Sequence, residues 1–528
     1  MSFLQDALYN SFIKHKDLQA LSVQNTKYSY QEILDYTCAF DNILGNQTLD
    51  KIVILGDRSL TSYLGVAYSL LSGSTFVPIN PAFPIEQNSK IIQLSDAKTI
   101  IFDITGLQTI KSIASHIRTP LKLLTFSHTD HCSREINAAV KEFEDTIHTL
   151  HIAKPPNNKK GFQPNETSEE KELYILFTSG TTGTPKGVPI THGNIESYLT
   201  GINEILKLST NDRFSQTFDL TFDLSMHDIF LSWFVGGCLC VPARLEMLAP
   251  KRYIEREQIT VWFSVPSAAV MMKQMKQLEP NSYPTIQHSL FCGEALPANL
   301  ASTWQTAAPN SKITNLYGPT EATIAFTHHE FKDTPETTHI NGIVAIGNPF
   351  GDNKAAVYND NLDLLPIGEE GELCLSGKQI TPGYLNNKQQ NSERFFIEEK
   401  TGTKWYRTGD RVYYDKEDGY IYMGRMDHQI KILGYRVELI EIENVLRSIS
   451  DTEHVAAIPW PITNGLIQGI VAFIVNPDID INVMKEQCKL ELAHYKRPSS
   501  IYKLDAMPLN SNGKIDRNKL KQHLMESK

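Results

Sequence analysis

An apolar run, LYILF at Leu173 to Phe177, opens directly into TSGTTGTPKG, Thr178 to Gly187. The glycines let backbone N–H groups approach an anion with no Cβ in the way. The hydroxyls of Thr178, Ser179, Thr181 and Thr182 and the ammonium of Lys186 add donors for phosphate oxygens. A strand that ends in such a loop, turning at Gly180, suits a polyphosphate ligand. It is not a Walker A loop, because Pro185 stands where the second glycine of GxxxxGK[ST] would have to be. A plain surface turn rich in Gly and Thr would not need a buried strand before it or a lysine after it.

The elements that must hold this loop are mixed. Strand-like runs such as KIVIL (Lys51 to Leu55) and TFVPI (Thr75 to Ile79) alternate with helical stretches such as SYLGVAYSLL (Ser62 to Leu71), which predicts α/β layers. A chain of 528 residues favours two or more domains. Between Ala153 and Glu172 the composition turns to Pro, Asn, Lys, Glu and Gly and reads as a mobile surface connection. From about Asp427 the pattern becomes compact: a helical VELIEIENVLRS, strands HVAAIPW and GIVAFIV, and the tail PLNSNGKIDR. This places a small C-terminal domain at 427–528 after a large one at 1–426.

The bulk numbers exclude several classes of partner. A net charge of −10 argues against nucleic acid or an anionic membrane. The longest apolar stretch, near Tyr63 to Leu71, is far shorter than the ~20 residues of a membrane helix. The opening MSFLQDALYNSF carries no export pattern, so a cytoplasmic protein with no membrane insertion is expected. Seven scattered cysteines fit reduced thiols, and Cys238-x-Cys240 fits core packing rather than a zinc site.

The loop begins an ordered series: FDLS (Phe222 to Ser225), NLYGPTE (Asn315 to Glu321), GELCLSG (Gly371 to Gly377), YRTGD (Tyr406 to Asp410), GRMDHQIKILGYRVELIEIE (Gly424 to Glu443) and NSNGKIDR (Asn510 to Arg517). With this set the chain resembles the adenylate-forming superfamily of acyl-CoA synthetases, firefly luciferases and nonribosomal peptide synthetase adenylation domains. The resemblance covers most of the chain. It implies a large multi-subdomain N-terminal domain of α/β layers and a small mobile α+β C-terminal domain, with ATP and Mg2+ as cofactors.

Within that resemblance each motif has a physical part to play. Tyr317 offers a face for adenine, Asn315 can bond its edge and Thr320 can reach the α-phosphate. Glu321 is the expected magnesium ligand, because a hard cation beside a triphosphate needs carboxylate oxygen. Asp410 would hold the ribose hydroxyls and Arg425 would contact ribose or phosphate. Gly293, Glu294, Leu316, Gly318 and Tyr422 complete the expected nucleotide cleft. Lys514 is the expected catalytic lysine, stabilising the charge that grows on phosphoryl oxygens as the carboxylate attacks. Asp427 is the expected hinge. About it the small domain would swing, with Lys514 inward for adenylation and the Gly434 loop inward for thiol attack.

The resemblance also bears on the substrate. Asp223 matches the aspartate that pairs with the α-ammonium in amino-acid-activating members; a capping aspartate is the structural alternative. Leu224, His227, Phe263, Leu290, Cys292, Leu316, Ile324 and Ala325 would line the remaining pocket. Their bulk points to glycine or alanine, and FCGE, GPTEATIA and FDLS together look most like stand-alone D-alanine or glycine:carrier-protein ligases. Leu316 crowds the pocket toward glycine, a preference of about 1–3 kcal/mol. No carrier motif lies in the chain, so the acceptor is expected to be a separate phosphopantetheinylated carrier protein, with coenzyme A as the alternative acceptor. The end use would be cell-envelope aminoacylation or a peptide pathway. The alternatives are a short-chain acyl-CoA synthetase and an inactive nucleotide-binding scaffold.

Overall fold

The structure, a computed structural model, describes residues 2–44, 50–114, 121–126, 147–153, 161–178, 185–332, 342–426, 429–450, 452, 454–463, 466–475, 480–509 and 515–526. Ser179, Gly180, Thr181, Thr182, Asp427 and Lys514 lie outside these residues.

The expected α/β layering is present. Among the described residues, Lys51–Leu55, Thr75–Ile79, Thr99–Phe102, Leu121–Phe126, Ile147–Ala153 and Glu172–Thr178 form one parallel array, closed by the antiparallel strand Lys186–Thr191. A second large sheet runs in parallel through Gln19–Val23, Cys238–Val241, Arg213–Ser215, Val261–Ser264, His288–Phe291 and Lys312–Tyr317, with antiparallel strands at both edges. Strands covered on both faces read as unbroken apolar runs, which is why KIVIL and TFVPI show no alternation.

The helix Leu60–Ser72 is buried on every side, and Ser59 caps it by accepting from the Ser62 amide. A helix that is apolar all round belongs between layers. One continuous core joins it to side chains of both large sheets. A smaller antiparallel sheet is built on Gly371–Ser376 and the long strand Lys404–Asp415, which pairs with Gly419–Arg425.

Beyond residue 428 come a hairpin of Gln429–Ile432 with Tyr435–Glu438, the helix Leu439–Ser450, and a three-stranded sheet of Val455–Pro459, Ile470–Ile474 and Ser500–Lys503 with its own core. The described cysteines are free and buried, with Cys238 and Cys240 inside the core; Cys132 lies outside the described residues. No described helix is long and apolar enough to cross a membrane.

The reading of Ala153 to Glu172 as a mobile connection needs correction in its described part. Phe162 is buried in the main core, its carbonyl accepts from the Tyr9 hydroxyl at 2.9 Å, and the Asn165 amide bonds Leu71 O at 3.3 Å. One aromatic residue in a polar stretch anchors what composition alone assigns to the surface.

Candidate active site

Parallel strands place their carboxyl ends along one edge of the sheet, and there the chain turns outward into site residues. Phe263 pairs with Leu290, Ser264 with Phe291 and Phe291 with Asn315. Cys292, Gly293 and Glu294 therefore emerge beside Gly318, and the segment after Ser215 leads through Asp223 into the helix Leu224–Val235. Gly318 sits in a tight return: a Cβ there would lie 2.7 Å from Ala325 Cα. Behind it Thr323 and Ile324 hold positive φ of 58° and 71°, uncommon for β-branched residues and a sign of local strain beside the pocket.

Asp223 is buried at the N-cap position of the helix that follows; its side chain makes no cap hydrogen bond, though the Leu224 backbone N–H helps to hold the carboxylate. Burial pushes its carboxyl up to about 6, against the opposing pull of the Thr320 hydroxyl and the Lys431 ammonium. Phe263, Leu290, Cys292, Leu316, Ile324 and Ala325 are all buried in the same core. His227 receives or gives a 2.6 Å hydrogen bond at Nδ1 with the Tyr198 hydroxyl, and burial lowers it to about 3, so it is neutral. Burial likewise holds the Cys292 thiol up at about 12; it packs and does not attack.

At the nucleotide end, the Tyr317 hydroxyl donates to Asp410 Oδ2, and Arg425 Nη1 lies 3.0 Å from Asp410 Oδ1 and 2.7 Å from Thr408 O. Both carboxylate oxygens thus already carry a partner, with lone pairs left for ribose hydroxyls. Arg425 is held by Asp410 and also borders the cleft. The Asn315 amide nitrogen bonds the carbonyls of Val344 and Ala345 at 3.2 and 2.8 Å, while its Oδ1 is buried with no partner among the described residues. An orphaned acceptor beside Tyr317 fits the amino edge of adenine. Tyr422 stands on Gly419–Arg425, packed against the small sheet.

Thr178 and Lys186 are direct partners in the antiparallel pair that brackets the glycine-rich loop. Lys186 Nζ lies 5.8 Å from the Tyr384 ring centre, and burial, then Arg436, lower its affinity for a proton. Glu321 is almost wholly enclosed. Burial pushes its carboxyl up, but Arg436, the Tyr384 hydroxyl and Lys186 together bring it below the usual range.

A cleft of about 40 Å³ links these two ends, bordered by Asp223 and Cys292 on one side and Asp410 and Arg425 on the other. The hairpin closes it. Glu294, expected at the nucleotide, accepts from Ser267 N at 2.9 Å and from Gly434 N at 3.0 Å. Gly434 has φ +82°, and a Cβ there would come within 2.5 Å of Val265 Cγ1 and 2.9 Å of Phe222 Cζ. Tyr435 stacks on Phe222 at 5.4 Å and on Tyr495 at 3.9 Å. On the far side of Phe222 lies an apolar cavity of about 180 Å³, walled by Trp262, Val265, Met271, Leu433 and Tyr435 among others.

Sequence reasoning passes over Lys431, Arg436, Tyr384 and Tyr198. Lys431 and Arg436 lie inside QIKILGYR, a stretch that the motif series does contain, and Lys431 Nζ stands 5.9 Å from the Tyr317 ring centre. No spacing along the chain says that this hairpin folds back onto residues a hundred positions earlier.

The profile described as AMP-binding enzyme matches residues 10–385, and that of the AMP-binding enzyme C-terminal domain matches residues 441–514. A D-alanine--D-alanyl carrier protein ligase of Listeria monocytogenes is 31% identical, with 96% of each chain covered. Gramicidin S synthase 1 of Brevibacillus brevis is 28% identical over 95% of this chain and 42% of its own length. The crystal structure of the Vibrio cholerae adenylation domain AlmE in complex with glycyl-adenosine-5'-phosphate superposes with a TM-score of 0.91 at 32% identity, over 100% of this chain and 98% of that one.

Proposed function

We infer, since the chain belongs to the family of AMP-binding enzymes and is an amino-acid-adenylating, AMP-forming ligase, that its substrate is glycine and its acceptor the phosphopantetheine thiol of a separate carrier protein. The observation that carries this reading is Asp223: a buried carboxylate without a side-chain cap bond, on a small cleft that it shares with Cys292, Thr320 and Lys431 and that runs to Asp410 and Arg425. A buried carboxylate facing a plain fatty acid would have only the pull of Lys431, too weak to offset its burial, whereas an α-ammonium supplies a direct counter-charge. Leu316 and Phe263, both buried in the adjoining core, would leave little room for a Cβ substituent. The glycyl-adenosine-5'-phosphate held by AlmE favours glycine, and the name of the Listeria ligase keeps D-alanine as the runner-up.

In this reading the amino acid carboxylate attacks the α-phosphorus of ATP and pyrophosphate leaves. The thiol then attacks the carbonyl carbon and AMP leaves. Asp223 orients the ammonium, Tyr317 and Asn315 hold the base, and Asp410 holds the ribose. Lys186 and the loop from Thr178 hold phosphate, and Lys514 stabilises the first transition state. Residues 1–426 carry the nucleotide and amino acid sites, and 427–528 form the moving domain that carries Lys514, hinged at Asp427. Glu321 is the residue that would hold Mg2+, since a carboxylate ionised in spite of burial and ringed by cationic groups is built to face positive charge. When bound, the metal neutralises the departing pyrophosphate. The cavity behind Phe222 is narrow and apolar enough for a pantetheine arm. The work would be done in the cytoplasm, where ATP is supplied, for cell-envelope aminoacylation or a peptide pathway.

The test is ATP–pyrophosphate exchange with glycine, D-alanine, L-alanine, L-serine, β-alanine and acetate in parallel. Glycine is expected to stand at least tenfold above the alanines, in line with about 1–3 kcal/mol for one methyl group. A response to acetate equal to that of glycine would reject the role of Asp223.

A further inference from the structure

Arg436 belongs to the strand Tyr435–Glu438 of the small hairpin, yet its guanidinium ends on Glu321, with Nη1 2.9 Å from Oε1 and 3.0 Å from Oε2. The Tyr384 hydroxyl donates to the same Oε1 at 2.7 Å. The two charged side chains are 16% and 1% exposed, so this is an enclosed ion pair. The guanidinium arrives only with its hairpin, which is docked by Gly434 N on Glu294 and by Tyr435 on Phe222. A Mg2+ ion binds carboxylate oxygen at about 2.0–2.1 Å with near-octahedral demands. It cannot share this carboxylate face with a guanidinium spanning both oxygens.

We propose that Arg436 competes with Mg2+ for Glu321, taking the carboxylate when the metal leaves with pyrophosphate, so that hairpin docking and Mg2+·ATP occupancy exclude each other at one side chain. This rests on the reading of Glu321 as the metal's carboxylate. Exchanging one cation for another keeps a buried carboxylate neutralised through both stages, whereas leaving it alone would be strongly destabilising. It also makes the order of the half-reactions a property of the site: the hairpin cannot close for thiol attack while metal and pyrophosphate remain. Arg436 acts through Glu321 and is a positioning residue.

The experiment uses the full chain with Cys132→Ser and spin labels at Leu245→Cys and Leu490→Cys, positions 80% and 67% exposed on the two sides of the interface. The free protein is expected to give one short label distance, and Mg2+ with α,β-methylene-ATP to lengthen it. The nucleotide analogue in EDTA should leave the distance short. In Arg436→Gln the short population should fall in the free protein, and the Mg2+ concentration for half-maximal analogue binding, read by calorimetry, should drop at least fivefold. Arg436→Lys, which keeps the charge without the fork, should fall between. A wild-type distance that Mg2+ and the analogue do not move overturns the proposal without reference to any variant. So does an unchanged Mg2+ requirement in an Arg436→Gln protein of normal melting temperature. If instead Glu321→Gln leaves the Mg2+ requirement unchanged, the assignment of Glu321 has failed, and that outcome is separate.

Discussion

Asp223 must be ionised to pair with an ammonium, while its surroundings hold its carboxyl up near 6. The KM for glycine is therefore expected to be flat above pH 6 and to rise as the pH falls below it, read by pyrophosphate exchange from pH 5.5 to 8.5. Asp223→Asn should lower amino-acid-dependent exchange at least a hundredfold, the loss typical of one partner in an enclosed charge pair. The same change should stabilise the fold. The folded carboxyl titrates above its ordinary value of 3.8, so the ionised form is disfavoured by folding at every pH above about 6, and the penalty disappears below about 4. Asp223→Asn should thus raise the melting temperature at pH 7.5, by an amount worth at most about 3 kcal/mol, and by less at pH 5. Leu316 tests pocket size at the same scale. Leu316→Ala is expected to narrow the preference for glycine over D-alanine by tenfold or more in the exchange assay, because it opens room for one methyl group.

In the proposed reaction the hairpin of Gln429–Ile432 with Tyr435–Glu438 is the element on which the second half-reaction would turn. Gly434→Ala would put a methyl group against Val265 and Phe222 in a backbone conformation that already disfavours it. Transfer to a thiol is expected to slow at least tenfold while pyrophosphate exchange persists, measured with glycine and a holo carrier protein. How much of this is legible in the sequence depends on distance along the chain. The glycine-rich loop, the apolar strands around it and Asp223 in FDLS are local patterns, and local patterns carry periodicity and turn chemistry. The reach of Arg436 to Glu321 and of Glu294 to Gly434 is set by how two separately folded parts meet, which no spacing encodes. Phe162 and Asn165 escape a sequence reading for a related reason: a polar stretch looks mobile until the groove that receives its one aromatic residue is known.

At the scale of the whole molecule, the large cores lie almost wholly before residue 427, and the part after residue 428 has cores of its own. A chain ending at residue 426 is expected to fold, with a cooperative thermal transition, and to bind ATP by calorimetry. It should give no pyrophosphate exchange, because Lys514 is gone. Retained exchange would remove Lys514 from the mechanism. Trp262 walls the apolar cavity behind Phe222 and stacks on Trp304 at 5.7 Å, itself stacked on Tyr283 at 5.8 Å. Of these three rings only the Trp262 indole borders the space where an acceptor's arm would lie. That indole is already almost wholly shielded from water, so an arm that lay against it would change the ring's packing rather than its hydration, and a change in intrinsic fluorescence on adding holo carrier protein would time its entry without a label.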